Sequence, residues 1–377
     1  MIEALGHELI GRAGSRWEIP TPALILDLDA LDRNIDQMAA HCKRAGIGLR
    51  PHAKTHKCAA IAWRQLEAGA VGICCAKLAE AEALAAAGVD AILLTSPVVT
   101  SASIERVYAL NAQIKELMVV VDNASVVSVL AAAGSTGAPL NVLVDVDVGL
   151  HRTGIAPDAA VGLAEMVNQF EALTFRGLQG YAGHLMHVEG FEDRSEKSLA
   201  SIAMLANIEK ELADLDIDCE IVTGGGTGSF NIDPQAGALT DLQGGSYIFM
   251  DRQYQDVRIA NDAPLPFEAS LFVQTSVISN NTSGIVTTDA GFKSFSTDAD
   301  PPIITGGAPE AATYFFFGDE QGGVFLPKGQ NPLALGAAVT CVTPHCDPTV
   351  NLYDHYYCVR GDDLVDIWLI EARGRSQ

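Results

Sequence analysis

Three short stretches of this 377-residue chain carry residue types that could act together in catalysis. Arg50-Pro51-His52-Ala53-Lys54-Thr55-His56-Lys57 sets a lysine between two histidines. A lysine whose pKa is lowered by burial or by cationic neighbours is an amine able to form an imine with a carbonyl. Gly224-Gly225-Gly226-Thr227-Gly228-Ser229, with Gly244-Gly245-Ser246-Tyr247 as a second cluster, lets backbone amides and hydroxyls close on an anion such as phosphate. His345-Cys346-Asp347 offers a nitrogen and an oxygen ligand two residues apart. In an extended segment both point to one side and Cys346 to the other. With its other positions left to water or substrate, such a pair suits Mn²⁺, Mg²⁺ or Zn²⁺. Each motif also has a plain alternative: a solvated loop lysine, a glycine turn without ligand, or an Asp347 that bonds the backbone before Pro348.

A fourth stretch runs from Asp145 to Gly154 and ends in Arg152, a guanidinium able to face a phenolate or a carboxylate. Tyr181 follows with a flat stacking surface, and His184 and His187 lie just beyond it. An amine, a phosphate cradle and a cation pair in one chain together suggest pyridoxal phosphate chemistry with metal assistance.

These residues need elements to bring them together. Short apolar runs at 23–26, 47–49, 71–75, 92–94, 118–121, 140–146, 173–178 and 219–222 alternate with amphipathic stretches such as 31–44, 77–87, 159–169 and 196–215. Eight such units predict a (β/α)8 barrel, whose strands read as continuous apolar runs because both faces are buried. In that frame Lys54 follows the second strand, Arg152 the sixth, Tyr181 the seventh and the Gly224 loop the eighth. Strand ends converge on one mouth of a barrel, where active sites lie.

After residue 251 the texture changes to alternating β-branched and aromatic runs at 271–279, 284–288, 314–317, 337–342, 355–359 and 364–370. We therefore expect an α/β chain in two parts: a barrel over 22–255 and a mainly β domain over 256–377. The domain carries the cation pair, and the segment 1–21 is expected to pack on it.

A formal net charge of -23 from 24 Lys+Arg against 47 Asp+Glu disfavours nucleic acid and anionic lipid as partners and leaves a small molecule. His7, Glu8, Arg12 and Arg16 interrupt the apolar residues at the start, unlike a secretion signal, and no run reaches the roughly 18 apolar residues of a membrane span. Eight scattered cysteines without a CxxC pair fit a reducing cytoplasm.

The combination resembles the fold type III pyridoxal phosphate enzymes related to alanine racemase, and among them the D-threonine aldolases and D-serine dehydratases. The likeness runs through Thr21-Pro22-Ala23-Leu24-Ile25-Leu26-Asp27, the Lys54 segment, both glycine clusters, Asp289-Ala290-Gly291 and, most specifically, Pro344-His345-Cys346-Asp347-Pro348-Thr349-Val350-Asn351-Leu352-Tyr353-Asp354. The resemblance implies that Lys54 is the Schiff-base lysine, Arg152 the partner of the cofactor's ring oxygen and Tyr181 a pocket wall. It assigns phosphate to Gly225, Gly226, Thr227, Gly245 and Ser246, a divalent ion to His345 and Asp347, and the role of base to His187 with His184 as competitor.

It also implies a D-β-hydroxy-α-amino acid as substrate and a homodimer with shared sites, in which Asp319 and, nearer the lysine, His52 contact substrate. Retro-aldol cleavage of D-threonine is the leading activity, because the dehydratases carry HxC where this chain has HxD. The alternatives are a D-serine or D-3-hydroxyaspartate dehydratase, a 3-hydroxyaspartate aldolase, a pyridoxal phosphate carrier without catalysis, or a cofactor-free Schiff-base aldolase. One departure concerns the substrate side: Gln321 stands where these relatives usually have a histidine.

Overall fold

The computed structural model of the protein describes residues 5–377; residues 1–4 of the N-terminal segment lie outside the described part. Among the described residues, eight parallel strands form one sheet: Gly48–Leu49, Ile73–Cys75, Ala91–Leu94, Glu116–Val121, Leu140–Asp145, Leu173–Gly180, Ile221–Gly224 and Asp241–Leu242. Its two ends meet where Val71 N donates to Leu49 O at 2.8 Å and Cys74 N donates to Pro51 O at 2.9 Å, so the sheet closes into a barrel. A parallel bridge between His52 and Cys74 completes the seam.

Side-chain alternation gives each strand two environments. Met118 and Val120 point inward and join Cys74, Leu93, Leu143 and Ile221 in a small apolar plug. Leu117, Val119 and Val121 point outward against the helices, within the main core. The helix Leu28–Ala45 shows why these elements form. Asp27 caps it by accepting from the amides of Asp29 and Ala30; Leu28, Leu31, Ile35, Met38 and Cys42 make one buried stripe, and Gly46 at φ 72° ends it.

The rest of the chain builds a mainly β domain on the long strand Leu271–Thr282. Its two halves pair with different neighbours: Leu271 to Gln274 with Ala23–Asp27, and Val277 onward with Ile285–Thr288. Residues from the N-terminal segment lie on this sheet, with Gly11 N donating to Leu364 O at 2.8 Å and Leu9 and Ile19 packed against Ile25, Val359 and Leu364.

Two expectations need correction. The apolar run 23–26 is not the first barrel strand; it lies in the β domain, antiparallel to Leu271–Thr282 and parallel to His355–Arg360. The missing barrel strand is Asp241–Leu242, two residues long. Lys54 therefore follows the first barrel strand, Arg152 the fifth, Tyr181 the sixth and the Gly224 loop the seventh, while Gly245 and Ser246 follow the eighth. Among the described residues no helix is long and apolar enough to cross a membrane, and all eight cysteines are free.

Candidate active site

A cavity of about 570 Å³ opens at the C-terminal ends of the barrel strands, a size suited to a cofactor with a small substrate. Lys54, His52, Arg152, Tyr181, Gly226, Thr227, Gly245 and Ser246 all line it. Lys54 sits in the single turn Ala53–Thr55, which His52 caps by accepting the Lys54 amide at 3.3 Å on Nδ1. The other His52 nitrogen bonds Thr95 Oγ1 at 3.1 Å. Burial first, then the neighbouring Lys54 charge, hold the His52 pKa well below its ordinary value, so its ring is neutral.

The floor of the cavity is polar where the barrel plug stops. Asp145 accepts from Gln179 at 2.8 Å and from Thr153 at 2.7 Å; Gln243 donates to Gln179 at 3.2 Å and to Thr223 at 3.0 Å. Thr223 donates in turn to Asp241, whose carboxylate faces Arg50 at 3.3 Å. This chain of buried bonds crosses the barrel interior and fixes the strand ends against one another. Arg152 lies over the Tyr181 ring, 5.5 Å from its centroid.

The two glycine clusters meet across the cavity. The backbone amides of Thr227, Gly245 and Ser246 donate to no protein group among the described residues, whereas Thr227 Oγ1 accepts the Tyr247 amide at 3.0 Å. A Cβ on Gly226 would lie 2.6 Å from Met186 Sδ, and one on Gly245 would lie 2.7 Å from Thr55 Oγ1. Unpaired amides beside two glycines whose Cβ atoms would crowd Met186 and Thr55 form a cradle for an oxyanion. This fits the phosphate of pyridoxal phosphate, and Lys54 and Arg152 line the same cavity. Gly225 does not line the cavity; at φ 67° it makes the turn.

Arg194 ties this cradle to the next loop. It is fully buried, and its guanidinium donates to the carbonyls of Gly228 at 2.7 Å, Val188 at 2.5 Å, Glu189 at 3.1 Å and Arg258. One side chain thereby joins the phosphate loop to the segment that carries His187. His187 is exposed and packs on Tyr254 with ring centroids 4.5 Å apart. Desolvation, then the charge of His345, lower its pKa, so the imidazole is neutral at pH 7 and can accept a proton. His184 is exposed beside Gly149 and does not line the cavity.

The β domain meets the site at Lys54; His345 and Asp347 themselves do not line the cavity. Lys54 Nζ donates to Asp347 Oδ2, bringing the lysine of the first barrel strand against the HxD segment. Burial works against both charges. The Asp347 carboxylate nevertheless holds the Lys54 pKa up, and Lys54 followed by His345 holds that of Asp347 below the usual carboxylate range.

The expected extended geometry at 345–347 is not what forms. His345 is extended at φ -142° and caps a short helix, Cys346–Val350, so Asp347 lies in the first helical turn. Pro348 fits there because first-turn amides need no intrahelical partner. Cys346 is buried beneath, its amide donating to Asp251 at 2.8 Å; burial followed by the Asp251 and Asp347 charges push its thiol pKa well above the ordinary value.

His345 and Asp347 could offer a cation one nitrogen and one oxygen, and no group of three metal-binding side chains gathers among the described residues. One imidazole and one carboxylate would fit an ion that keeps water or substrate oxygens in its other positions. Asp319 lies outside this cavity. It is exposed in the hairpin turn after Thr313–Phe316, its carbonyl accepting the Lys293 amide at 3.0 Å, and Gln321 closes the same turn by accepting the Phe317 amide at 3.0 Å.

Sequence reasoning missed Thr95, Asp122, Gln179, Gln243 and Tyr254, which also line the cavity. The first four stand at or just after the ends of barrel strands, and that position was the available signal.

Comparison with known proteins agrees with this geometry. Residues 26–253 match the model of the alanine racemase N-terminal domain, and residues 270–359 that of a putative serine dehydratase domain. A D-threonine aldolase of an Arthrobacter species is 41% identical over 363 residues, covering 95% of this chain and 94% of that one. A 3-hydroxy-D-aspartate aldolase of Paracoccus denitrificans (strain Pd 1222) is 36% identical over 365 residues, with 95% and 93% covered. The crystal structure of D-threonine aldolase from Filomicrobium marinum matches with a TM-score of 0.90 at 37% identity, over 96% of this chain and 98% of that one. The chain therefore belongs to the alanine-racemase-fold family that unites D-threonine aldolases with D-serine dehydratases, and within it to the carbon–carbon lyases of the D-threonine aldolase type.

Proposed function

We propose that this protein is a metal-activated, pyridoxal phosphate-dependent aldolase that cleaves D-β-hydroxy-α-amino acids, with D-threonine giving glycine and acetaldehyde. The observation that carries this reading is the contact between Lys54 and Asp347, which joins the amine of the barrel to the HxD segment of the β domain. An imine-forming lysine and a cation ligand within one hydrogen bond of each other serve a single reaction centre.

In this reading Lys54 holds the cofactor's carbonyl carbon and Arg152 its ring oxygen. The amides about Gly226, Thr227, Gly245 and Ser246 hold its phosphate. Pyridoxal phosphate supplies an electron sink for the pair left at Cα as the Cα–Cβ bond breaks. A divalent ion at His345 and Asp347, with Mn²⁺ preferred, supplies Lewis acidity to the substrate β-oxygen.

His187 takes the proton from that oxygen, and its lowered pKa supports the role because the neutral ring is the basic form. Tyr181 and Tyr254 wall the cavity and limit water. Asp319, exposed and outside the cavity of its own chain, is assigned to the cavity of a second copy in a homodimer. The eight free cysteines support a reducing, cytoplasmic setting.

Dehydration of D-serine or D-3-hydroxyaspartate on the same scaffold is the competing reaction. The burial of the Cys346 thiol supports Asp347 as the second ligand and thus the aldolase reading. Product analysis decides between them. The protein should convert D-threonine to glycine and acetaldehyde, stop on chelation and recover with Mn²⁺. Formation of 2-oxobutanoate and ammonia, or a rate indifferent to chelator, would overturn the proposal. D-3-hydroxyaspartate in the same assay tests the second aldolase substrate.

A further inference from the structure

Resting on the metal reading above, we infer that Asp298 is the positioning residue of the cation site: it holds the His345 ring through Nδ1 and leaves Nε2 to bind the ion. Asp298 Oδ2 lies 2.7 Å from His345 Nδ1. An ionised carboxylate can only accept, so Nδ1 carries the hydrogen and the lone pair is on Nε2. Nε2 bonds no protein group among the described residues. Histidines that ligate metals are commonly set in this way by a carboxylate on the far nitrogen.

Asp298 is half exposed, but the segment that carries it is not free. Ser296 Oγ accepts the His345 amide at 3.0 Å and donates to the His345 carbonyl at 3.1 Å. The Ser296 amide donates to Thr349 Oγ1 at 3.0 Å, and Tyr353 donates to the Ser294 carbonyl at 2.9 Å. Residues 294, 296 and 298 thus grip the 345–353 segment at alternate positions. The bracket fixes the backbone at His345, and Asp298 at its end fixes the ring.

With a net charge of -23 the whole protein attracts cations, so the test must separate local positioning from the general field. Asp300 provides the control. It lies two residues on, is more exposed, and faces Arg252 at 3.3 Å instead of His345.

The pyridoxal phosphate-loaded protein, stripped of metal by chelation, is titrated with Mn²⁺ while free Mn²⁺ is followed by electron paramagnetic resonance. The wild type should bind one ion per chain. Asp298→Ala should weaken binding about 10–100-fold, the range for loss of such a partner. Asp298→Asn should fall between, since its amide oxygen still accepts from Nδ1–H without the charge. Asp300→Ala should stay within about twofold, as expected for a screened surface charge.

Thermal melts of each variant check that the fold is kept. Wild-type affinity in Asp298→Ala, or an equal loss in Asp300→Ala, overturns the inference and leaves the metal reading standing. A wild type that binds no Mn²⁺ overturns that reading and the inference with it.

Discussion

The barrel wall of the site draws Lys54, Arg152, Tyr181, Thr227 and Ser246 from the ends of five different strands, whereas the β-domain side presents His345 and Asp347 from one short turn. On the barrel side a network from Arg50 through Thr223, Gln243 and Gln179 to Asp145 ties those ends together. The cation side rests on the Ser296 bracket and on the bond from the Cys346 amide to Asp251. Strain at one strand end is shared across the barrel; a shift of the turn moves His345 and Asp347 together. Cofactor binding should therefore tolerate single side-chain changes at the strand ends better than metal binding tolerates changes in the turn, apart from Lys54 itself.

Removing Lys54 tests the exception and carries the largest expected effect. Lys54→Ala should lower turnover by at least ~10³-fold, as loss of a residue acting within a catalytic unit does. It should also remove the lysine-cofactor absorbance; a persisting band would refute the assignment. Next in size, Asp347→Ala should cost on the order of 10²–10³ in kcat, the range for losing a main electrostatic stabiliser of developing charge, and should abolish the response to Mn²⁺. Retained metal dependence would move the ion elsewhere.

His187→Ala should lower kcat about 10²-fold while leaving cofactor loading intact. In the proposed role His187 works as the neutral ring, and desolvation holds its pKa below the usual ~6.5 for histidine. Wild-type kcat/KM should therefore hold down through pH 6.5 and fall only below it, and the variant should lose that acid limb. A wild-type limb centred above 6.5, or unchanged turnover in the variant, would reject the role.

The smallest effect tests the barrel wall. Gly228→Ala would put a Cβ 2.1 Å from the Met186 carbonyl oxygen, so the backbone must move. Overpacking of this kind costs about 1–3 kcal/mol. We expect a lower melting temperature and cofactor affinity reduced by about tenfold, with Mn²⁺ affinity unchanged. Equal losses of both ligands would erase the contrast between the two sides.

That Lys54, Arg152, Tyr181 and parts of both glycine clusters would meet at one barrel mouth was legible in the sequence, because strand ends converge in any barrel. Strand identity was less so. Ala23–Asp27 reads as an apolar run whichever sheet it enters, since in the β domain too it is flanked by strands on both sides. Asp241–Leu242 is too short for any periodicity. At 345–347 the HxD spacing suggested an extended pair, while Pro348 held the unused clue that a helix begins there. Asp298 and Arg194 were invisible because their partners are backbone carbonyls or a ring 47 residues away, contacts that only the folded chain creates.

The central claim is that one site holds both the imine-forming lysine and the divalent ion. Anomalous diffraction from crystals of the Mn²⁺-loaded holoprotein measures this directly. The account predicts a manganese peak on His345 and Asp347, in the same cavity as density continuous with Lys54. A peak bound elsewhere, or none at metal concentrations that support turnover, would contradict it.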